Sequence, residues 1–108
     1  MEWRKVTAIL QGSRLEEVER RLGEVGVHGI SVTRVQGHGE YKNFFGRDWS
    51  VTHARIEVFS TASKAEEIAQ AIMDATSTGS AGDGIVAILP VERIYRIRTK
   101  AEAHADEI

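Results

Sequence analysis

From Trp3 to Leu10 polar and apolar residues alternate, with Val6, Ala8 and Leu10 on one side and Lys5 and Thr7 on the other. That period of two predicts a half-buried strand. Gln11-Gly12 breaks it, and the period then lengthens: Leu15, Val18, Leu22 and Val25 recur at helical spacing opposite Glu16, Glu17, Glu19, Arg20 and Arg21. Ser13 stands three residues before Glu16, the spacing of a capping box, and Gly26 follows the last periodic residue, where glycine ends helices. A second strand is predicted over Ile30 to Gln36 and a third over Val51 to Phe59, where Ala54, Ile56 and Val58 alternate with His53, Arg55 and Glu57. After a second Ser/Glu box at Ser63 and Glu66, a helix is expected to about Thr76 with Ile68, Ala69, Ile72 and Met73 facing in. Ile85 to Leu89 reads as a fully apolar fourth strand, interrupted by Pro90, with Val91 to Thr99 continuing as extended chain.

The order β-α-β-β-α-β predicts an α+β, ferredoxin-like fold: an antiparallel sheet carrying two helices on one face. Residues 1–100 form the one domain, and the polar, alanine-rich residues 101–108 are expected to be a flexible C-terminal tail. With 108 residues, the bare face of such a sheet is most simply covered by another subunit. Hydrophobic residues at 42% and charged residues at 28% place the chain among soluble globular proteins. A net charge of -2 gives no electrostatic case for nucleic acid. Absence of cysteine excludes disulfides, thiolate metal sites and a cysteine nucleophile. The N-terminal residues hold neither a signal peptide nor a membrane span, so a cytoplasmic location is the default.

Candidate chemistry concentrates at the glycines. Thr78-Gly79-Ser80-Ala81-Gly82-Asp83-Gly84 places three glycines within six residues between a helix and a strand. Such a turn can aim successive N–H groups at an anion, typically a phosphate. Arg96 and Arg98, separated by Ile97, would leave one face of a strand and present two guanidinium forks to a phosphate or carboxylate. The plainer alternative is a tight turn and a solvated basic edge. Between the second and third strands, Tyr41, Phe44, Phe45 and Trp49 make up four of the seven aromatics, interleaved with Lys42, Arg47 and Asp48. They either fold back on the core or bury against a partner or ligand. His28, His38, His53 and His104 have no ligand spacing, so no metal is predicted and the histidines read as surface or turn residues; His38 is the one placed to touch a ligand. No nucleophile–base pair and no GxxxxGK[ST] loop is present, which argues against an enzyme.

Over residues 5 to 100 the chain resembles the PII signal-transduction family. The motifs are Leu15-Glu16-Glu17-Val18; Val25 to Thr33 leading into Gln36-Gly37-His38-Gly39; Arg55-Ile56-Glu57-Val58; the glycine stretch; and Ile94-Tyr95-Arg96-Ile97-Arg98-Thr99. The resemblance implies a homotrimer with an adenine nucleotide in each inter-subunit cleft. It places the phosphates against Gly82, Asp83 and Gly84 and against Arg96 and Arg98, with Gly37, His38 and Gly39 lining the same cleft. Ser31 stands where a threonine usually meets the nucleotide, and Phe59 where backbone meets the base. The loop 40–50, carrying Tyr41, Lys42, Phe44, Phe45, Arg47 and Trp49, corresponds to the partner-docking loop.

Departures from the family pattern shift the expectation. Ile85 replaces the lysine that reaches the terminal phosphate of ATP, Glu40 replaces a basic residue, and Tyr41 replaces the glutamine associated with magnesium and 2-oxoglutarate. One cation fewer and one carboxylate more disfavour the most charged nucleotide, so ADP or AMP is expected over ATP. The docking loop is also several residues shorter than usual. Short-loop PII-like proteins include carboxysome-associated members linked to bicarbonate transport, which makes bicarbonate a further candidate ligand and a bicarbonate transporter a candidate partner. The alternatives are a nitrogen-regulatory PII binding ATP and 2-oxoglutarate, or a trimeric metal-tolerance-type protein without nucleotide.

Overall fold

The computed structural model describes residues 2–36 and 52–107. Strand β1 (Trp3–Gln11) runs through a 3-10 turn at Gly12–Arg14 into helix α1 (Leu15–Glu24). Strands β2 (Ser31–Gln36) and β3 (Thr52–Thr61) lead to helix α2 (Ala62–Thr76) and strand β4 (Gly84–Val91). A short hairpin of β5 (Tyr95–Arg96) and β6 (Ala101–Glu102) follows. The four long strands form one sheet in the order β2-β3-β1-β4, and every neighbouring pair is antiparallel. This is the ferredoxin-like arrangement expected from the order of elements.

Alternation along the strands decides which face is covered. Val6, Ala8 and Leu10 of β1 and Ala54, Ile56 and Val58 of β3 are buried together with Val18 and Leu22 of α1 and Ala65, Ile68, Ala69 and Ile72 of α2. Helix α1 closes as the glycine predicts. Gly26 takes a φ of 87°, its N–H donates to Gly23 O, and the Val27 N–H donates to Leu22 O, which together make a Schellman motif. The N-termini do not follow the capping-box spacing. A 3-10 turn occupies Ser13, α1 begins after Arg14, and α2 begins one residue before Ser63, so neither N-cap makes a side-chain bond. Tertiary packing, which sets where each chain leaves the sheet, outweighs the local caps here.

Four other expectations are corrected. Met73 is exposed, because it lies about 100° around the helix from Ile72; Ala71, Ala75 and Thr76 complete the inner face instead. Pro90 does not interrupt the fourth strand, which continues to Val91 with Pro90 opposite Arg4. β4 is an edge strand, and on an edge a missing N–H can face away from the only neighbour. His53 is no surface residue: it lies 2% exposed between Gln11 and Val35 in the ladder. Finally, the stretch 91–107 does not run on as extended chain into a frayed end. It turns back through Ile97 to Lys100, where the Lys100 N–H donates to Arg96 O at 2.8 Å, and the Ala103 N–H donates to Ile94 O at 2.9 Å. Ala103 is buried, and a 3-10 turn covers Ala105–Glu107.

Candidate functional site

The glycine turn is held by its own aspartate. Asp83 accepts from the Thr78 N–H at 2.7 Å, from the Gly79 N–H at 2.9 Å, and from the Thr78 hydroxyl. The Ser80 hydroxyl adds a longer contact to the same carboxylate. These donors, the Thr78 hydroxyl foremost, hold the Asp83 carboxyl below the usual carboxylate range. The nest foreseen for an outside anion is therefore occupied, at Thr78 and Gly79, by an internal one. Gln11 secures the far side of the turn by donating to Gly82 O at 3.0 Å. At Gly84 the backbone takes a φ of 109°, and a Cβ there would stand 1.9 Å from Ile9 O, so only glycine fits. Gly82 differs: its added Cβ would meet only the end of the Gln11 side chain, at 3.1 Å, and Ser80 Oγ at 3.9 Å.

Register fixes where the turn lies. Gly84 pairs with Leu10, Gln11 with His53, and Gln36 with Thr52. The glycine turn thus shares one end of the sheet with the two strand ends that bound residues 37–51. Asp83, Gly84 and Ile85 line a small cavity of about 160 Å³ there, together with Ile9, Met73 and Thr76. Ile85 is 41% exposed and lies opposite Ile9 on the face of the sheet away from α1 and α2.

Arg96 and Arg98 belong to the opposite end. β4 leaves the sheet at Val91, opposite Trp3, and the hairpin follows. The two guanidinium groups do not share a strand face as expected. Arg96 is in β5, whereas Arg98 is in the turn between β5 and β6. They still line one open cavity of about 610 Å³, with Tyr95 and the almost fully exposed Ile97.

Ser31 and Phe59 come together in the largest cavity described, about 730 Å³, whose walls are the segment Gly26 to Ser31, the end of β3 from Glu57 to Thr61, Lys64 and Ile68 of α2, and Ala105 with Asp106. Its volume suits a drug-sized or nucleoside-sized ligand. Glu57 at its edge is held by Lys5 at 3.1 Å and lies 3.7 Å from Arg55 Nε. Sequence reasoning missed Lys64 and the C-terminal wall. Lys64 had a signal: it precedes the inward-facing Ile68 by four residues, so its stem must run along the covered face of α2. The remaining expected residues, Gly37, His38, Gly39 and Glu40, and the loop residues Tyr41, Lys42, Phe44, Phe45, Arg47 and Trp49 lie outside the described residues. Among the described residues no three His, Asp or Glu side chains are gathered for a metal, and no helix is long and apolar enough to cross a membrane.

The family model for nitrogen regulatory protein P-II matches residues 3–101. The chain belongs to the P-II family. A nitrogen regulatory protein P-II of Azospirillum brasilense is 38% identical over 103 residues, covering 89% of this chain and 92% of that protein. The nitrogen regulatory protein GlnK2 of Haloferax mediterranei is 36% identical over 101 residues, covering 87% and 82%. Among solved structures, PII of Arabidopsis thaliana, described as bound to citrate, superposes with a TM-score of 0.79 at 29% identity over 94% of this chain and 89% of that one. P-II proteins are regulators, and the ferredoxin-like core described above is theirs.

Proposed function

We propose that this P-II protein is a homotrimeric sensor that binds an adenine nucleotide between subunits and reports occupancy to a partner protein through the loop 40–50. The observation that carries this reading is the division of the site. The glycine turn sits at one end of the sheet, while Arg96, Arg98 and the cavity at Ser31 and Phe59 belong to the end where β4 and β2 meet the C-terminal hairpin and the 26–31 segment. β4 alone spans about 23 Å, and one phosphate chain touched by both sets needs each within hydrogen-bond distance. A second copy, bringing its hairpin to the first copy's glycine turn, meets that requirement. Such a contact is heterologous, and three copies can close it into a ring.

ADP or AMP is the favoured ligand. Ile85 offers an apolar side chain where a phosphate-binding lysine would stand, and the Asp83 carboxylate already fills part of the nest. Each change removes positive field from the terminal phosphate of ATP. Ligand would bias the conformations of the loop 40–50, and the partner would read the favoured one. The protein works in the cytoplasm without catalysis; bicarbonate is a candidate co-ligand, and a membrane transporter of bicarbonate a candidate partner. A second reading is favoured by the names of the relatives, which are nitrogen regulatory proteins: ATP together with 2-oxoglutarate as the effectors.

Calorimetric titration of the purified chain with ATP, ADP and AMP, each with and without bicarbonate and 2-oxoglutarate, separates these. Tighter ADP or AMP binding that is indifferent to 2-oxoglutarate supports the first reading. ATP binding that 2-oxoglutarate strengthens supports the second, and no binding removes both. Arg96→Ala is expected to weaken nucleotide binding about tenfold or more, the loss of one charge-assisted pair; unchanged affinity would remove its phosphate role.

A further inference from the structure

We infer that Lys64 is a ligand-contacting residue of the 730 Å³ cavity, donating to a lone-pair acceptor at the base-and-sugar end of the nucleotide. The inference rests on the nucleotide reading above. Lys64 lies in the first turns of α2, one helical turn before the fully buried Ile68, which lines the same cavity. Its stem is thereby led along the cavity wall. The ammonium reaches the turn after α1, because a Cβ added to Gly26 would stand 2.9 Å from Lys64 Nζ.

The neighbours leave this donor to the cavity. Of the two carboxylates that line the cavity, Glu57 is paired with Lys5 and Asp106 is exposed, and none of the ion pairs among the described residues includes Lys64. The N–H groups of Gly26 and Val27 are spent on closing α1, whereas His28 and Gly29 make no backbone hydrogen bond among the described residues. Their peptide groups and the Lys64 ammonium therefore border one nucleoside-sized space. An ammonium has three donors and no acceptor, so it selects a ligand that turns a ring nitrogen or hydroxyl oxygen toward it. Phosphates are assigned to the glycine turn and the hairpin, which line other cavities. Lys64 consequently acts on the uncharged part of the ligand and should treat adenosine, AMP, ADP and ATP alike.

A structural role for the same ammonium is the stabilisation of the negative end of α1, and the test separates the two. In the full chain, Lys64→Met keeps the stem and removes the charge, and Lys64→Arg keeps the charge. Titration with adenosine, AMP, ADP and ATP, alongside thermal unfolding, should show Lys64→Met binding each ligand about tenfold more weakly, or about 1.4 kcal/mol, with Lys64→Arg close to wild type. Unchanged affinities with a lowered melting temperature would overturn the inference in favour of the helix-end role, leaving the nucleotide reading intact. A loss that grows from adenosine to ATP would overturn it by placing the ammonium on the phosphates. Wild-type protein that binds none of the four would remove the nucleotide reading, and this inference with it.

Discussion

Asp83 and Gly84 do different work in one short turn. Asp83 ties the backbone of Thr78 and Gly79, and its carboxyl is held below the usual range because the bound donors favour the charged form. A lowered folded value means that the clasp is fully present above the ordinary aspartate pKa of about 3.9 and is lost as pH falls through the lower folded value. The backbone ¹H and ¹⁵N shifts of Thr78 and Gly79 should therefore stay constant from neutral pH to the edge of the acid range and move only below about pH 4. In Asp83→Asn they should be displaced at every pH. Shifts that titrate at an ordinary or raised value would contradict the clasp. Gly84 serves geometry alone: Gly84→Ala forces a Cβ against Ile9 O and should cost about 3 kcal/mol in urea unfolding. Gly82→Ala meets only the tip of Gln11 and should cost less than about 1 kcal/mol, so Gly82 is the position at which to obstruct a ligand without unfolding the chain.

At the scale of the elements, α2 is the main cover of the sheet. Ile72 is fully buried among β1, β3 and β4 residues and the facing helix, and Ile72→Ala should destabilise by about 3 kcal/mol with little change in the urea m-value. A cost below about 1 kcal/mol would mean that the site collapses around the lost atoms. The strands and helices were legible because period two and period 3.6 survive wherever one face is buried, as Val6, Ala8 and Leu10 or Val18 and Leu22 show. Boundaries were less legible. Ser13 and Ser63 carry the right spacing, but the helices start where packing releases the chain from the sheet. Pro90 misled because nothing local reveals that its strand is an edge. The hairpin was missed because Lys100 makes the turn at a φ of 59° without a glycine to announce it. Of the site, the glycine turn could be read from composition, whereas the cavity depends on bringing together residues of 26–31, 57–68 and 105–106, three segments far apart in the chain.

At the scale of the whole molecule, the glycine turn and the hairpin that carries Arg96 and Arg98 lie at opposite ends of one sheet. The sheet face away from α1 and α2 also leaves Phe59, Ile85 and Leu89 substantially exposed, apolar surface that association would cover. Both features support assembly, and the claim that joins them is that the glycine turn of one copy and the arginines of another hold the same ligand. Mixing two defective chains tests this most directly. One carries a bulky residue at Gly82 and the other carries Arg96→Ala; each alone should bind adenine nucleotide weakly. After co-refolding, a mixed ring contains an interface with an intact turn from one chain and an intact arginine from the other. Recovered high-affinity binding, at up to one site per mixed ring, is the expected result. Binding that stays as weak as in either parent, with mixed rings demonstrably formed, would contradict a site shared between subunits.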